Sequence, residues 1–259
     1  MDNRSDILDE KLSKREIERY NRQIMIPGLG LEGQRKLKDS KVFLAGAGGL
    51  GCPIAIYLTV AGVGTLKIID RDTVELSNLN RQILHWDEDV GRRKVDSIQE
   101  KLRRMNPDVK VEAGCVEIHE ENVLDMIEGS DIIVDAMDNF PTRYLLNRAA
   151  IKLNIPFVHG GIWGLEGRAT TIIPNKTACL QCIFPEAPPA ERFPVIGVSP
   201  GLIALIEATE TIKYLTGIGR LLENRLLIYD GEQMEFAEVA VSRRPDCPAC
   251  GGRKTSANP

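Results

Sequence analysis

Four cysteines fall into two pairs, Cys179-Leu180-Gln181-Cys182 and Cys247-Pro248-Ala249-Cys250. Each C-x-x-C puts two thiolates on one tight turn, and two such turns supply the tetrahedral shell of soft ligands that zinc prefers. A four-thiolate shell leaves no position for water, so a Zn2+ ion there holds the fold and does no chemistry. The reactive part of the sequence lies earlier, at Gly46-Ala47-Gly48-Gly49-Leu50-Gly51. Gly46 permits a tight turn after a strand, Gly48 lets backbone approach a phosphate unobstructed, and Gly51 allows close helix packing. Phosphates would then rest on the positive end of the following helix. Asp70 ends the next strand, where an acidic side chain accepts hydrogen bonds from ribose hydroxyls.

The stretch after Asp70 narrows the ligand. Residues 71–82 (RDTVELSNLNRQ) form a polar loop that includes Ser77, Asn78, Arg81 and Gln82, and Lys94 follows on the next helix. Arginine forks and lysine charges converging near a phosphate loop suit a triphosphate, because the charge that builds on departing pyrophosphate must be neutralised. NAD chemistry needs proton-transfer groups near the nicotinamide, and the three histidines (His85, His119, His159) show no evident acid/base pairing in sequence. Each is read as structural or exposed. An NAD- or FAD-dependent oxidoreductase is the competing class.

These groups are carried on alternating strands and helices, the pattern of a parallel sheet covered by helices. Ser13 and Glu16 make a capping box for a helix running to about Ile24, and a second helix covers Leu31 to Lys38. Lys41 to Ala45 is a buried strand, Cys52 to Ala61 the helix behind the glycine loop, and Thr65 to Asp70 the next strand. Gly91 to Met105 is an amphipathic helix, followed by strands at Val109 to Ala113 and Asp131 to Ala136 and a helix at Pro141 to Leu153. Beyond Pro156 the texture changes. Phe157 to Ile162 and Arg168 to Ile173 are strands joined by a Gly-rich turn, Pro200 to Leu215 is the last long helix, and Leu226 to Tyr229 pairs with Glu235 to Val241 around Asp230-Gly231. The fold class is α/β: a Rossmann-like, mostly parallel sheet flanked by helices, with a C-terminal antiparallel extension and a structural zinc site.

Bulk properties set the remaining bounds. A chain of 259 residues is near the upper size of one hydrophobic core, so residues 19–252 are expected to form a single domain. Residues 1–18 then form a helical, partly flexible arm and 253–259 a flexible tail. No apolar run approaches the ~18 residues of a membrane span, and the charged N-terminus has no signal core, so a cytoplasmic protein is expected. A net charge of −4 gives no basis for a nucleic-acid partner. Cys52 and Cys115 read as buried apolar fillers.

Taken in order, Arg19-Tyr20-Asn21-Arg22-Gln23-Ile24, the glycine loop, Asp70 with residues 77–82, Gly91 through Lys94, residues 135–139 (DAMDN) and the two C-x-x-C pairs resemble the MoeB/ThiF/HesA family. These are the simplest relatives of the ubiquitin-activating enzymes. The resemblance spans roughly Arg19 to Gly252.

It implies ATP- and Mg2+-dependent adenylation of the C-terminal glycine carboxylate of a small ubiquitin-like (β-grasp) sulfur carrier ending in Gly-Gly, with release of pyrophosphate. By resemblance Gly49 and its loop contact ATP, Asp70 holds the ribose, and Ser77, Asn78 and Arg81 line the triphosphate. Lys94 contacts phosphate, Asp138 with Asn139 positions magnesium or nucleotide, and Gln82 lies close to the reacting groups. Arg22 reaches into the site of the other subunit of a homodimer, and Cys179, Cys182, Cys247 and Cys250 ligate zinc. Relatives that carry an acyl- or sulfur-accepting cysteine between the first C-x-x-C and the next helix differ from this chain, whose residues 183–201 contain none. Thiolation is therefore assigned to a separate sulfur donor. The Pro-rich 183–201 segment reads either as a cover for the carrier tail or as a surface loop. A sibling activity on transfer RNA or on a peptide terminus shares the same ATP site. A zinc-ribbon nucleic-acid module is disfavoured, because 64 residues separate Cys182 from Cys247 and they are not basic.

Overall fold

The computed structural model describes residues 11–188 and 194–252. Most of the expected N-terminal arm, the whole expected tail and the middle of the 183–201 segment lie outside the described residues. The capping box forms: Ser13 N–H donates to Glu16 Oε2 at 2.8 Å and Glu16 N–H to Ser13 Oγ at 3.2 Å, opening α1 (Lys14–Arg19). The single helix expected to reach Ile24 instead breaks at Tyr20 (φ −97°, ψ 10°), and α2 (Asn21–Ile24) restarts beyond it. Tyr20 is buried, and its hydroxyl accepts from Asn106 Nδ2 at 2.9 Å. That tertiary anchor outweighs the continuity of the local pattern.

Next come α3 (Gly30–Asp39), β1 (Lys41–Ala45), α4 (Gly51–Ala61), β2 (Thr65–Ile69), α5 (Lys94–Met105) and β3 (Lys110–Gly114). The chain continues through α6 (Val123–Ile127), β4 (Ile132–Asp135), α7 (Phe140–Leu153), β5 (Phe157–Trp163) and β6 (Glu166–Ile172). It ends with α8 (Leu180–Ile183), α9 (Val198–Thr216), β7 (Arg225–Asp230) and β8 (Glu235–Ala240). Helix α5 starts at Lys94 and not at Gly91, because Gly91 takes φ +89° and Thr73 bridges Arg93. Two short helices, α6 and α8, were not expected; each is too brief to show a helical period. The β7–β8 connection is also longer than a two-residue turn, since Asp230 Oδ1 accepts the amides of Glu232 and Gln233 at 2.9 and 3.1 Å.

Among the described residues eight strands form one sheet in the order β3-β2-β1-β4-β5-β6-β7-β8. Pairing is parallel from β3 to β5 and antiparallel from β5 to β8. Strand β1 is apolar on both faces because both are covered: Val42 and Leu44 enter the core beneath α4, α5 and α9, while Phe43 and Ala45 enter a second core shared with α7 and the four paired cysteines. Strand order reverses between β1 and β4, and open α/β sheets bind ligands beyond the strand ends at that point. The glycine loop, Asp70 and residues 136–139 all follow strand ends there. No helix among the described residues is long and apolar enough to cross a membrane.

Candidate active site and cysteine cluster

The glycine loop is shaped by close backbone approach. Gly46 holds φ +108°, and a Cβ on it would stand 2.5 Å from the Ala136 carbonyl oxygen; one on Gly51 would stand 2.1 Å from the Gly46 oxygen. Gly51 therefore closes the loop on itself rather than admitting a neighbouring helix. Gly48 and Gly49 face roomier surroundings: their Cβ positions lie 3.6 Å from Gln82 Nε2 and 3.4 Å from Pro200. Helix α4 begins with no side-chain cap, and among the described residues no acceptor meets the amides of Gly48, Gly49 or Leu50. Unpartnered amides at a helix start make an anion cradle.

Asp70 fixes that cradle from below. Its Oδ2 accepts from Ala47 N–H and its Oδ1 from Asp72 N–H, both at 2.8 Å. Burial pushes its carboxyl up, and the positive charge of Lys94 opposes that. Lys94, nearly buried, pairs with Asp72 at 2.8 Å. In the 71–82 loop Asn78 is buried and its Oδ1 accepts from Glu75 N–H at 3.1 Å, so its side chain builds a turn. Ser77 Oγ lies 3.1 Å from Glu75 Oε2. Arg81 is half-exposed and held by Ser77 O and Asn80 Oδ1, both at 2.9 Å, with its Cγ 3.6 Å from the Cβ position of Gly49. Gln82 is buried with Oε1 unpartnered. Loop and cradle thus bring Gly46 to Gly51, Asp70, Arg81 and Gln82 together.

Asp138 is exposed beyond β4, and Asn139 caps α7 by accepting from Thr142 N–H at 2.9 Å. Arg22 is not brought to this site. It is exposed on α2, whose Gln23 bonds to Ala61 O at the far end of α4, and eleven helical residues span about 16 Å. The 183–201 segment does reach the site. A Cβ on Gly197 would stand 2.6 Å from Asn80 O, Gly164 N–H donates to Pro194 O at 2.8 Å, and Pro200 flanks Gly49.

A buried polar group beside Asp138 escaped the sequence reading. Asp135 pairs with His159 Nδ1 at 2.7 Å, a buried partner that no spacing in the sequence made evident; the two stand opposite each other on β4 and β5. Asp135 Oδ1 accepts from Met137 N–H at 3.0 Å and Arg143 Nη2 donates to Met137 O at 2.6 Å, so the peptide before Asp138 is clamped from both sides. Glu207 of α9 is fully buried nearby with both oxygens unpartnered. Burial first, then the Asp135 charge, push its carboxyl well above 4.5. The folded state therefore holds a proton that the unfolded state loses above that pH, and stability falls as pH rises through the gap. Glu207→Gln is expected to remove this slope, so that its stability relative to the parent rises with pH above the ordinary carboxylate range in urea titrations; parallel pH profiles would contradict it.

The four cysteines converge as two turns. Cys179 caps α8, Cys182 lies within it, and their Sγ atoms stand 3.8 Å apart; Cys179 to Cys247 is 3.6 Å and Cys182 to Cys250 is 3.4 Å. All four are buried, with Sγ atoms within 4.8 Å of one another. A tetrahedron with ~2.3 Å zinc–sulfur bonds has edges of about 3.8 Å, so the cluster can hold zinc. Arg244 N–H donates to Cys182 Sγ at 3.3 Å, a bond that favours thiolate. Burial would raise the Cys247 thiol, but amide bonds from Cys250 and Ala249 prevail and bring it to about 7. Cys52 is fully buried and burial pushes it up to about 12, as a filler should be. Cys115 departs from expectation: it is half-exposed at the end of β3.

A cradle of unpartnered amides at the sheet's switch point, flanked by guanidinium, ammonium and carboxylate, is that of an α/β enzyme with an anion-binding site. A ThiF family model matches residues 20–249, and the chain belongs to that family. It is an adenylyltransferase-type enzyme. The SAMP-activating enzyme E1 of Haloferax volcanii is 46% identical over 246 residues, covering 93% of this chain and 91% of that protein. The sulfur carrier protein adenylyltransferase of Thermus thermophilus is 42% identical over 254 residues, covering 94% of each. Among solved structures, E. coli MccB with MccA-N7isoASN superposes with a TM-score of 0.81 at 23% identity, covering 93% of this chain and 76% of that one, which supports the fold.

Proposed function

We propose that this protein activates the C-terminal glycine carboxylate of a small ubiquitin-like sulfur carrier with ATP, releasing pyrophosphate. The observation that carries the reading is the cradle of unpartnered amides at Gly48, Gly49 and Leu50 with Arg81 beside it. The named actions of the two relatives point to the same substrate class.

A peptide α-carboxyl has a pKa of about 3.5, so the nucleophile arrives ionised and requires no general base. One carboxylate oxygen bonds to the α-phosphorus while the bond to the bridging oxygen of pyrophosphate breaks. What the site supplies is alignment and neutralisation of charge. Gly46 to Gly51 seat the phosphates, Asp70 receives the ribose hydroxyls, and Ser77, Asn78 and Arg81 line the polyphosphate. Lys94 exchanges Asp72 for phosphate. Asp138 with Asn139 would position Mg2+ or the nucleotide, and Mg2+ would supply charge to shield phosphate oxygens. Gln82 offers its free Oε1 near the reacting atoms.

Arg22 serves the partner subunit of a homodimer, consistent with its distance from its own cradle. Exposed Met25 and Ile26 just beyond α2, with Tyr57 and Val60 on α4, are suited to that contact. Zinc on the four cysteines is structural, and residues 19–252 act as one cytoplasmic adenylating domain. A separate donor supplies sulfur, in molybdopterin, thiamine or related biosynthesis. The test presents candidate carriers ending in Gly-Gly with labelled pyrophosphate and ATP. Exchange with an intact carrier and none with one lacking the last glycine is expected; no exchange with any carrier, together with tight NAD binding, would refute the reading.

A further inference from the structure

His85 is buried, has no role assigned above in the reaction, and is hydrogen-bonded at both ring nitrogens. Nε2 lies 2.9 Å from Ala47 O, in the middle of the glycine loop, and Nδ1 lies 2.9 Å from Ser97 Oγ on α5. Ser97 Oγ in turn accepts from Lys101 Nζ at 2.9 Å, and Lys101 pairs with fully buried Asp89.

A carbonyl oxygen can only accept, so Nε2 carries a ring proton and donates to Ala47 O. An ammonium can only donate, so the Ser97 oxygen accepts from Lys101, and Nδ1 and the Asp89 carboxylate compete for its hydroxyl hydrogen. Burial, with the positive charges of Lys101 and Lys94, holds the ring's basicity below the ordinary histidine value, while the bond to Ala47 and the Asp89 charge work the other way.

The consequence lies one peptide further on. In a trans peptide the C=O and the following N–H point in opposite directions. Drawing the Ala47 carbonyl inward therefore turns the Gly48 N–H outward, and that amide is one of the unpartnered donors of the cradle. Asp70 fixes the other side of the same residue through Ala47 N–H. We infer that His85 is a positioning residue that aims the Gly48 amide at a phosphate of the bound nucleotide, with Ser97 and Lys101 holding the ring in place from its other side. This rests on the ATP reading above and specifies how its cradle is held.

The test is equilibrium ATP binding by calorimetry, alongside pyrophosphate exchange, in the intact protein and in His85→Phe, His85→Gln and Ser97→Ala. Phenylalanine fills the space without a donor, whereas the glutamine Nε2 can reach the Ala47 oxygen. Expected is an ATP Kd about ten-fold weaker in His85→Phe, recovery to within about three-fold in His85→Gln, and kcat at saturating ATP nearly constant in both. With three histidines in the chain, ¹⁵N-histidine spectra resolve the ring directly. The His85 signal should show a protonated Nε2, and the Ser97→Ala exchange should perturb it even if His85→Phe fails to fold. Unchanged ATP affinity in His85→Phe, or a His85→Gln protein as impaired as His85→Phe, overturns the assignment, as does a ring bare at Nε2. Failure of the parent protein itself to bind ATP would remove the functional reading and this inference together, and is distinguishable from the other outcomes.

Discussion

Arg81→Ala and Asp138→Ala are each expected to lower carrier-dependent pyrophosphate exchange by ~10³-fold or more, with melting temperature and metal content unchanged. The asymmetry follows from where the two side chains stand. Asp138 is exposed, and among the described residues its carboxylate bonds to the Asn139 amide alone, at 3.4 Å. Arg81 is half-exposed and among the described residues bonds to neighbours within its own loop. Removing either leaves the core intact, and surface changes of this kind cost about 0.5 kcal/mol or less. In the reaction, by contrast, an anionic carboxylate must approach a polyanion, and negative charge grows on the departing pyrophosphate. On the proposed function, a planar guanidinium at the cradle and a carboxylate that would hold magnesium answer those two demands. Arg81→Lys should recover little, because a point charge lacks the bidentate fork. Near-normal exchange in either alanine protein would refute the assignment of these residues.

Stripping zinc with a strong chelator, or making Cys182→Ser or Cys247→Ser, is expected to lower the melting temperature by more than about 10 °C and to open residues 243–252 to proteases. The four-thiolate site ties the α8 turn to the last described turn of the chain across 68 residues, the separation of Cys179 from Cys247. The cysteines are also part of the core beneath Phe43, Ile133 and Phe157. Structural zinc in small sites contributes an apparent ~10–16 kcal/mol, comparable to the whole net stability of a domain at about 5–15 kcal/mol. Metal loss should also rise as pH falls, since thiolates must be reprotonated to release the ion; burial and the neighbouring sulfurs push Cys179 and Cys250 upward, so protons compete strongly. Elemental analysis showing no zinc in a fully stable protein would contradict this, whatever the result for Arg81 and Asp138.

The glycine loop, its flanking strand and helix, Asp70, the Arg81 loop and both C-x-x-C turns were legible because each is a local pattern. A turn needing φ > 0, a strand apolar on both faces and two thiols on one turn are constraints that neighbouring residues impose on one another. Elements went wrong where a distant group intervened. Tyr20 splits the first helix because it reaches Asn106, and Gly91 delays α5 because the preceding loop bridges back to Thr73. The His159–Asp135 pair and the Arg143 clamp were invisible for the same reason: each joins residues on different elements.

By itself, then, the sequence determined the α/β class, the phosphate-facing turn and the thiols fit for a metal, since chain stereochemistry and side-chain valence act over a few residues. Only the tertiary structure decided what surrounds them: the bond of His85 to Ala47 O, the unpartnered buried carboxyl of Glu207, the packing of Gly197 against Asn80 and the separation of Arg22 from its own cradle. Those depend on how eight strands stack and which helix ends meet, and burial and charge act through space between groups that no spacing along the chain relates.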